Sequence, residues 1–156
     1  RPSNATCILF IYNLAFDLNL IIGHTGTSYC NNSYDCIKEV QEIQRDHLSR
    51  DYGDIGPHFV VGGGGYIFEG RGPNIFGAMV FGWNRIIIGV MFIGDYTTAK
   101  TDNLQIKHVQ ILLNTLVQGN FLSKDYKLYG YCQIEKAIFG TLETSTSFWL
   151  NVNPFL

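Results

Sequence analysis

Basic charge is scarce in this chain. Its 156 residues hold 11 lysines and arginines against 13 aspartates and glutamates, and the basic residues never gather into a run. Nucleic acid, which needs a clustered positive surface, is excluded as a partner on that ground. Long apolar runs are lacking too. No segment approaches the ~20 consecutive apolar residues of a membrane span; the apolar segment Cys7–Phe16 is too short and contains Tyr12 and Asn13. No charged leader precedes an apolar stretch, so no signal peptide is expected and the chain reads as a trimmed extracellular piece. Common catalytic signatures are also missing. There is no Gly-x-Ser-x-Gly elbow, no His-Glu-x-x-His and no Cys/His pair in a nucleophile context. The run Gly62–Gly65 lacks the Lys-Ser/Thr ending of a phosphate loop.

What is present is a set of clear local patterns. Apolar, β-favouring runs on either side of Gly62–Gly65 predict a hairpin, because glycine supplies the positive φ of a tight turn. Arg85–Gly94 is apolar and rich in isoleucine, as a buried strand would be. Leu18–Gly23 reads as a strand leading to His24, and Lys127–Gln133 as a late strand. Tyr34–Arg50 predicts an amphipathic helix with Ile37, Val40, Ile43, Gln44, His47 and Leu48 inward and Ser33 as its cap. Lys38, Glu39, Glu42, Arg45 and Asp46 would face water. Asn103–Gln118 predicts a second helix with Val109, Leu112, Leu113, Leu116 and Val117 as its apolar stripe and Gly119 at C′. Thr141–Trp149 predicts a short last helix. The order implies one α/β domain, a central mixed β-sheet flanked by helices. Asp54 and Glu69 read as hydrogen-bond anchors, and His47 and His108 as structural histidines.

Several of these pieces together resemble the peptidoglycan recognition protein family, relatives of the bacteriophage-type zinc amidases. They are His24-Thr25, Cys30 with Cys36, Asp54-Ile55-Gly56, Phe59, the glycine hairpin, Glu69-Gly70-Arg71-Gly72, Gly77-Ala78, Trp83-Asn84 and the glycines of Ile88–Gly94. Tyr126 and Gln133 extend the match, which runs over roughly residues 18–150. Within the family the chain is similar to the non-catalytic branch, and there to a-type ectodomains of insect LC receptors. The resemblance implies the zinc-amidase-like fold, with residues 1–17 as the family's N-terminal segment and 18–156 as the single domain. It also implies a Cys30–Cys36 disulfide. Cys7 and Cys132 then either pair with each other or stay as buried free thiols.

Catalytic zinc needs three protein ligands and an open position for water. The resemblance implies that His24 is a vestigial first ligand, while Tyr131 and Phe139 occupy the other two ligand positions. Pro57 stands where an amidase has a tyrosine, Pro73 where a tryptophan is usual, and Met79 where a histidine is usual. No catalytic residue, metal or other cofactor is therefore expected. His24, Pro57, Arg71, Met79, Trp83 and Tyr131 are the candidate groove or partner contacts. Recognition of diaminopimelate leans on an arginine in this family, and the matching stretch here is Lys100–Asn103, where Asp102 would repel a carboxylate. The resemblance thus implies an extracellular co-receptor, part of a cell-surface receptor, whose partner is a paralogous domain carrying a muropeptide. Direct binding of bacterial peptidoglycan fragments in its own groove, or residual amidase activity, are the alternatives. Asn4 and Asn31 lie in glycosylation triplets.

Overall fold

Runs rich in isoleucine and valine supply the middle of a five-stranded sheet. The computed structural model describes residues 18–134. The strands are β1 Asn19–His24, β2 Phe59–Val61, β3 Ile67–Glu69, β4 Ile87–Phe92 and β5 Leu128–Gly130. They lie in the order β3-β2-β4-β1-β5. β1 runs parallel to β4 and β5, and β2 parallel to β4, while β2 and β3 form the antiparallel hairpin. This is the mixed sheet that the sequence predicts. The hairpin turn is the glycine run, with Gly64 and Gly65 at φ 71° and 80°, where side chains are disfavoured.

Helices α1 Ser33–Ser49 and α2 Asn103–Gln118 cover opposite faces. Strand alternation sorts the side chains between them. Leu20, Ile22, Phe59, Val61, Ile88, Val90 and Phe92 pack with Val109, Leu113 and Leu116 of α2. On the other face Val60 joins Cys30, Cys36, Ile43 and Ile55 beneath α1. Ile21 and Ile87 join Val80 and Ile134 further along that same face.

Four local expectations change in the structure. The cap of α1 is Asn32, whose side chain accepts from the Asp35 N–H, and Ser33 is already helical. The inward face of α1 keeps Ile43, Val40, Gln44 and His47 as expected, but Cys36 is buried beside them while Ile37 and Leu48 are 45% and 48% exposed. The Cys30–Cys36 disulfide holds Cys36 in the cluster beneath the helix, which tilts the buried face toward it. At the end of α2, Gly119 has φ −79° and the left-handed residue is Asn120. The late strand stops at Gly130, and residues 131–134 are helical. Gly130 donates its N–H to Gln133 Oε1 at 2.8 Å, half of a capping box that starts a helix where a strand was expected. The segment 1–17, Cys7, Phe139 and the predicted helix Thr141–Trp149 lie outside the described residues.

The disulfide leaves no room beside Gly62. A Cβ there would stand 2.4 Å from Cys36 Sγ and 3.0 Å from Cys30 Sγ. Gly62→Ala should cost about 2 kcal/mol through overpacking, read as a lower urea midpoint at unchanged slope.

Candidate functional site

A cleft of about 420 Å³ opens on the sheet face that carries α1. Its floor is apolar, made by Ile43, Pro57, Ala78, Met79 and Met91, with Tyr131 at one end. Glu39, Glu42 and Asp46 line it from α1, with His47 beside them, and Thr25, Thr27 and Tyr52 complete the rim. The spacing of Glu39, Glu42, Asp46 puts them along one helical face. Glu42 pairs with Arg45 at 2.6 Å and Asp46 with Arg50 at 3.0 Å, both at exposed positions. Such exposed pairs contribute little to stability, but the two arginines offset the charge of Glu42 and Asp46.

The glycine-bearing loop before β2 forms the opposite wall. Arg71 fixes it by donating to backbone carbonyls of Ile55 at 2.7 Å, Phe76 at 3.1 Å and Asp54 at 3.3 Å, and also to Tyr52. Asp54 is an anchor as predicted: its Oδ1 accepts from Gln44 Nε2 and from the Ile55 N–H, each at 2.7 Å. Asn84 Oδ1 accepts from the N–H groups of Met79 and Val80, which sets Met79 over the floor. A Cβ on Gly89 would overlap Met79 Sδ at 2.0 Å, so Met79 reaches the sheet only because that residue is glycine.

Of the predicted contact residues, Pro57, Met79 and Tyr131 meet at the cleft. Tyr131 reaches across it, its hydroxyl 3.4 Å from the Met79 carbonyl. His24, Arg71 and Trp83 do not line it, although Trp83 packs in the cluster that also holds Met79 and Tyr131. His24 shares the strand face of Leu20 and Ile22, toward α2. Its Nδ1 is 3.2 Å from the Gly94 carbonyl, and its ring meets Tyr96 edge-on at 6.2 Å. The neighbour on the cleft side is Gly23, where a Cβ would stand 2.9 Å from both Met91 Sδ and Tyr131 Cβ. One residue of strand reverses the direction of a side chain, so His24 and Tyr131 cannot share a metal ion. Arg71 spends its guanidinium on the loop. Trp83 packs edge-on against Tyr129 at 5.6 Å and belongs to the cluster under Val80 and Ile87. Asp102 also leaves the picture as a groove charge. It caps α2, accepting from the Gln105 N–H at 2.7 Å and the Gly64 N–H at 2.9 Å, on the far face of the sheet.

The other histidines are structural. His47 accepts from the Gly56 N–H at 2.9 Å and stacks on Tyr52. Burial lowers its pKa, with Asp46 partly opposing. His58, 1% exposed, accepts from the Gly89 N–H at 2.9 Å, and burial holds it down to about 4. His108 Nδ1 lies 2.7 Å from the Gly65 carbonyl and ties α2 to the hairpin turn. Cys132 is a half-buried free thiol among the described residues.

Zinc is the metal that an amidase of this fold would use. At the centre of the cleft the side chains are those of Pro57, Met79, Met91 and Tyr131, with Met91 and Tyr131 packed over Gly23. They offer thioethers and a phenol, and these do not fit zinc's preference for imidazole, thiolate and carboxylate. Among the described residues no group of three or more His, Cys, Asp or Glu is placed to hold a metal ion. Sequence reasoning missed Gly23, Met91 and the acidic face of α1. The spacing of the α1 carboxylates was a visible signal, but it reads equally as a solvated face.

Residues 18–141 match the family described as N-acetylmuramoyl-L-alanine amidase. Peptidoglycan-recognition protein SC2 of Drosophila melanogaster is 38% identical over 115 residues, 73% of this chain and 62% of that protein. Peptidoglycan recognition protein 3 of Mus musculus is 33% identical over 120 residues, 76% of this chain and 35% of that protein. The chain thus spans less than two thirds of the length of these curated relatives. Among solved structures, one contains tracheal cytotoxin bound to the ectodomain complex of recognition proteins LCa and LCx. It matches with a TM-score of 0.78 at 36% identity, covering 81% of this chain and 76% of that one. Recognition protein LE in complex with tracheal cytotoxin matches with a TM-score of 0.72 at 31% identity, covering 76% of this chain and 71% of that one.

Proposed function

The chain belongs to the peptidoglycan recognition protein family, and from that membership we propose that it is a non-catalytic co-receptor domain of innate immunity. It docks on a related domain that presents a diaminopimelate-type muropeptide and does not hold the muropeptide itself. The observation that carries this reading is the centre of the cleft, where Gly23, Met79, Met91 and Tyr131 replace any convergent polar or metal-binding set. Sugars and stem peptides need such convergent partners. A stem peptide with free carboxylates also meets Glu39 at the rim, where like charge opposes entry. A methionine-rich floor with aromatic margins suits contact with protein. The solved LCa–LCx complex with tracheal cytotoxin supports a paired arrangement by likeness.

Placement outside the cell, as part of a cell-surface receptor, follows from the same likeness. Among the described residues no helix is long and apolar enough to cross a membrane. The open volume of the cleft favours one other reading, direct binding of muropeptide. Its proposed contacts, Trp83 and His24, lie outside the cleft lining.

Calorimetric titration of monomeric diaminopimelate-type muropeptide into the isolated domain should give no binding heat. Adding a muropeptide-binding paralogue should produce a ligand-dependent heterodimer in sedimentation velocity. Tight binding by the domain alone would replace the co-receptor reading with the direct one. Stoichiometric zinc by elemental analysis, with chelator-sensitive amide cleavage, would replace both with an enzyme.

A further inference from the structure

The loop between β1 and α1 carries a chemical feature that the cleft does not use. Asn31-Asn32-Ser33 is an acceptor triplet for N-glycosylation, and the structure separates its two asparagines by what their side chains do. Asn32 is occupied: its Oδ1 accepts from the Asp35 N–H at 3.0 Å and its Nδ2 donates to Asp35 Oδ2 at 2.6 Å. Asn31 is exposed, and its Oδ1 lies over Gly63, where a Cβ would stand 2.6 Å away, so the carboxamide borders the glycine turn without the capping bonds that hold Asn32. The Cys30–Cys36 disulfide holds this loop against the glycine turn.

Two exposed tyrosines flank the position, Tyr34 along the chain and Tyr66 across the glycine turn. Tyr34, the second residue of α1, is 65% exposed, with the Lys38 ammonium 4.2 Å from its ring centre. Tyr66 is 41% exposed. It meets Asn31 at Gly64, where a Cβ would lie 3.4 Å from the Tyr66 ring and 3.7 Å from the Asn31 carbonyl oxygen. Neither ring faces the cleft. The apolar faces of pyranose rings stack on such aromatics, which explains two large exposed side chains at one end of the molecule.

We propose that Asn31 carries an N-linked glycan whose first sugars lie over Tyr34 and Tyr66. Transfer comes from a polyprenyl diphosphate-linked oligosaccharide in the secretory pathway. Asn31 Nδ2 bonds to C1 of the first N-acetylglucosamine, the bond from that C1 to the diphosphate oxygen breaks, and Nδ2 gives up one proton. The diphosphate leaves on its lipid. Cleft residues begin at Glu39 on α1, further along the helix, so the glycan leaves the cleft open. Partner contact is then confined to the cleft side.

This inference rests only on the extracellular placement proposed above, and its test is independent of muropeptide binding. The chain is secreted from insect cells, and its peptides are mapped by mass before and after a peptide N-glycosidase. The Asn31 peptide should carry the glycan mass and lose it on digestion, and Asn31→Gln should lack it. Mapping by peptide separates Asn31 from the second triplet at Asn4. Mild iodination of folded wild-type protein should label Tyr34 and Tyr66 several-fold more after deglycosylation. An unmodified Asn31 in secreted, folded protein overturns the site. Equal labelling of both tyrosines before and after digestion overturns the covering role.

Discussion

Arg71→Ala should lower the unfolding free energy by about 3 kcal/mol and should do so without any ligand present. The guanidinium donates to the backbone carbonyls of Tyr52, Asp54, Ile55 and Phe76. These carbonyls lie in loop segments outside the strand ladders, so removing the side chain takes away donors that no strand pairing replaces. A hydrogen bond from a charged group contributes about 1.5–3 kcal/mol, and partial exposure of the loop discounts the sum. Arg71→Lys should recover less than half of the loss, because one ammonium cannot span carbonyls arranged around a planar fork. Tyr52 and Pro57 line the cleft on this same loop, so both variants should also loosen its wall. Urea denaturation measures the effect. Wild-type stability in Arg71→Ala, combined with lost partner binding, would show instead that the arginine reaches outward as a contact.

Acid should destabilise the domain by about 3 kcal/mol between pH 6.5 and pH 4 through His58 alone. Burial is the main cause of its low pKa, with the nearby Arg71 charge acting in the same direction and a hydrogen bond to the Ile75 backbone opposing. The Gly89 N–H can only donate, so Nδ1 must stay unprotonated for the 2.9 Å bond to exist. The unfolded chain takes up a proton as pH falls through 6.5, and the folded protein does not until about 4. The contribution is therefore complete above pH 6.5 and is lost progressively as pH drops through that window. His47, whose pKa is also lowered by burial, adds a smaller effect of the same sign. Stability curves from pH 7.5 to 4 check this, and His58→Asn, which keeps an acceptor near Nδ1, should flatten most of the slope. An unchanged slope in that variant would assign the acid sensitivity elsewhere.

The two helices show how far periodicity carries. For α2 the stripe of Val109, Leu113 and Leu116, closed by polar residues, fixed both the bounds and the buried face. For α1 the bounds come within one residue and Val40, Ile43, Gln44 and His47 turn inward, but Ile37 and Leu48 at the edge of the expected face are exposed and Cys36 is buried instead. A disulfide holds Cys36 in the cluster beneath the helix, and hydropathy carries no information about that covalent tie. The late strand shows a different limit. Tyr129 and Tyr131 both favour strand, yet the strand ends between them at Gly130, whose N–H is capped by the Gln133 side chain as the next residues turn helical.

The candidate site was legible as a set of substitutions and illegible as a shape. Pro57, Met79 and Tyr131 were singled out by motif, and they do meet. His24 was singled out in the same way and lies on the reverse face, because strand parity is absolute and motif matching is not. Trp83 and Arg71 are conspicuous residue types whose work is internal. Conversely Met91 and Gly23 look like ordinary strand residues until the strands are laid side by side.

Composition and local pattern alone indicated the α/β class, the two helices of the described residues, the glycine turn and the lack of a basic run, while resemblance to a known family marked Pro57, Met79 and Tyr131 as departures from its motifs. These depend on residue identity and short-range spacing, which a linear chain displays directly. Which of two neighbouring residues looks into the cleft, whether an arginine is spent inside or offered outside, and which asparagine of a pair is held by capping bonds were decided only by the tertiary structure. Each depends on partners far along the chain, brought within a few ångströms by sheet pairing and by the disulfide.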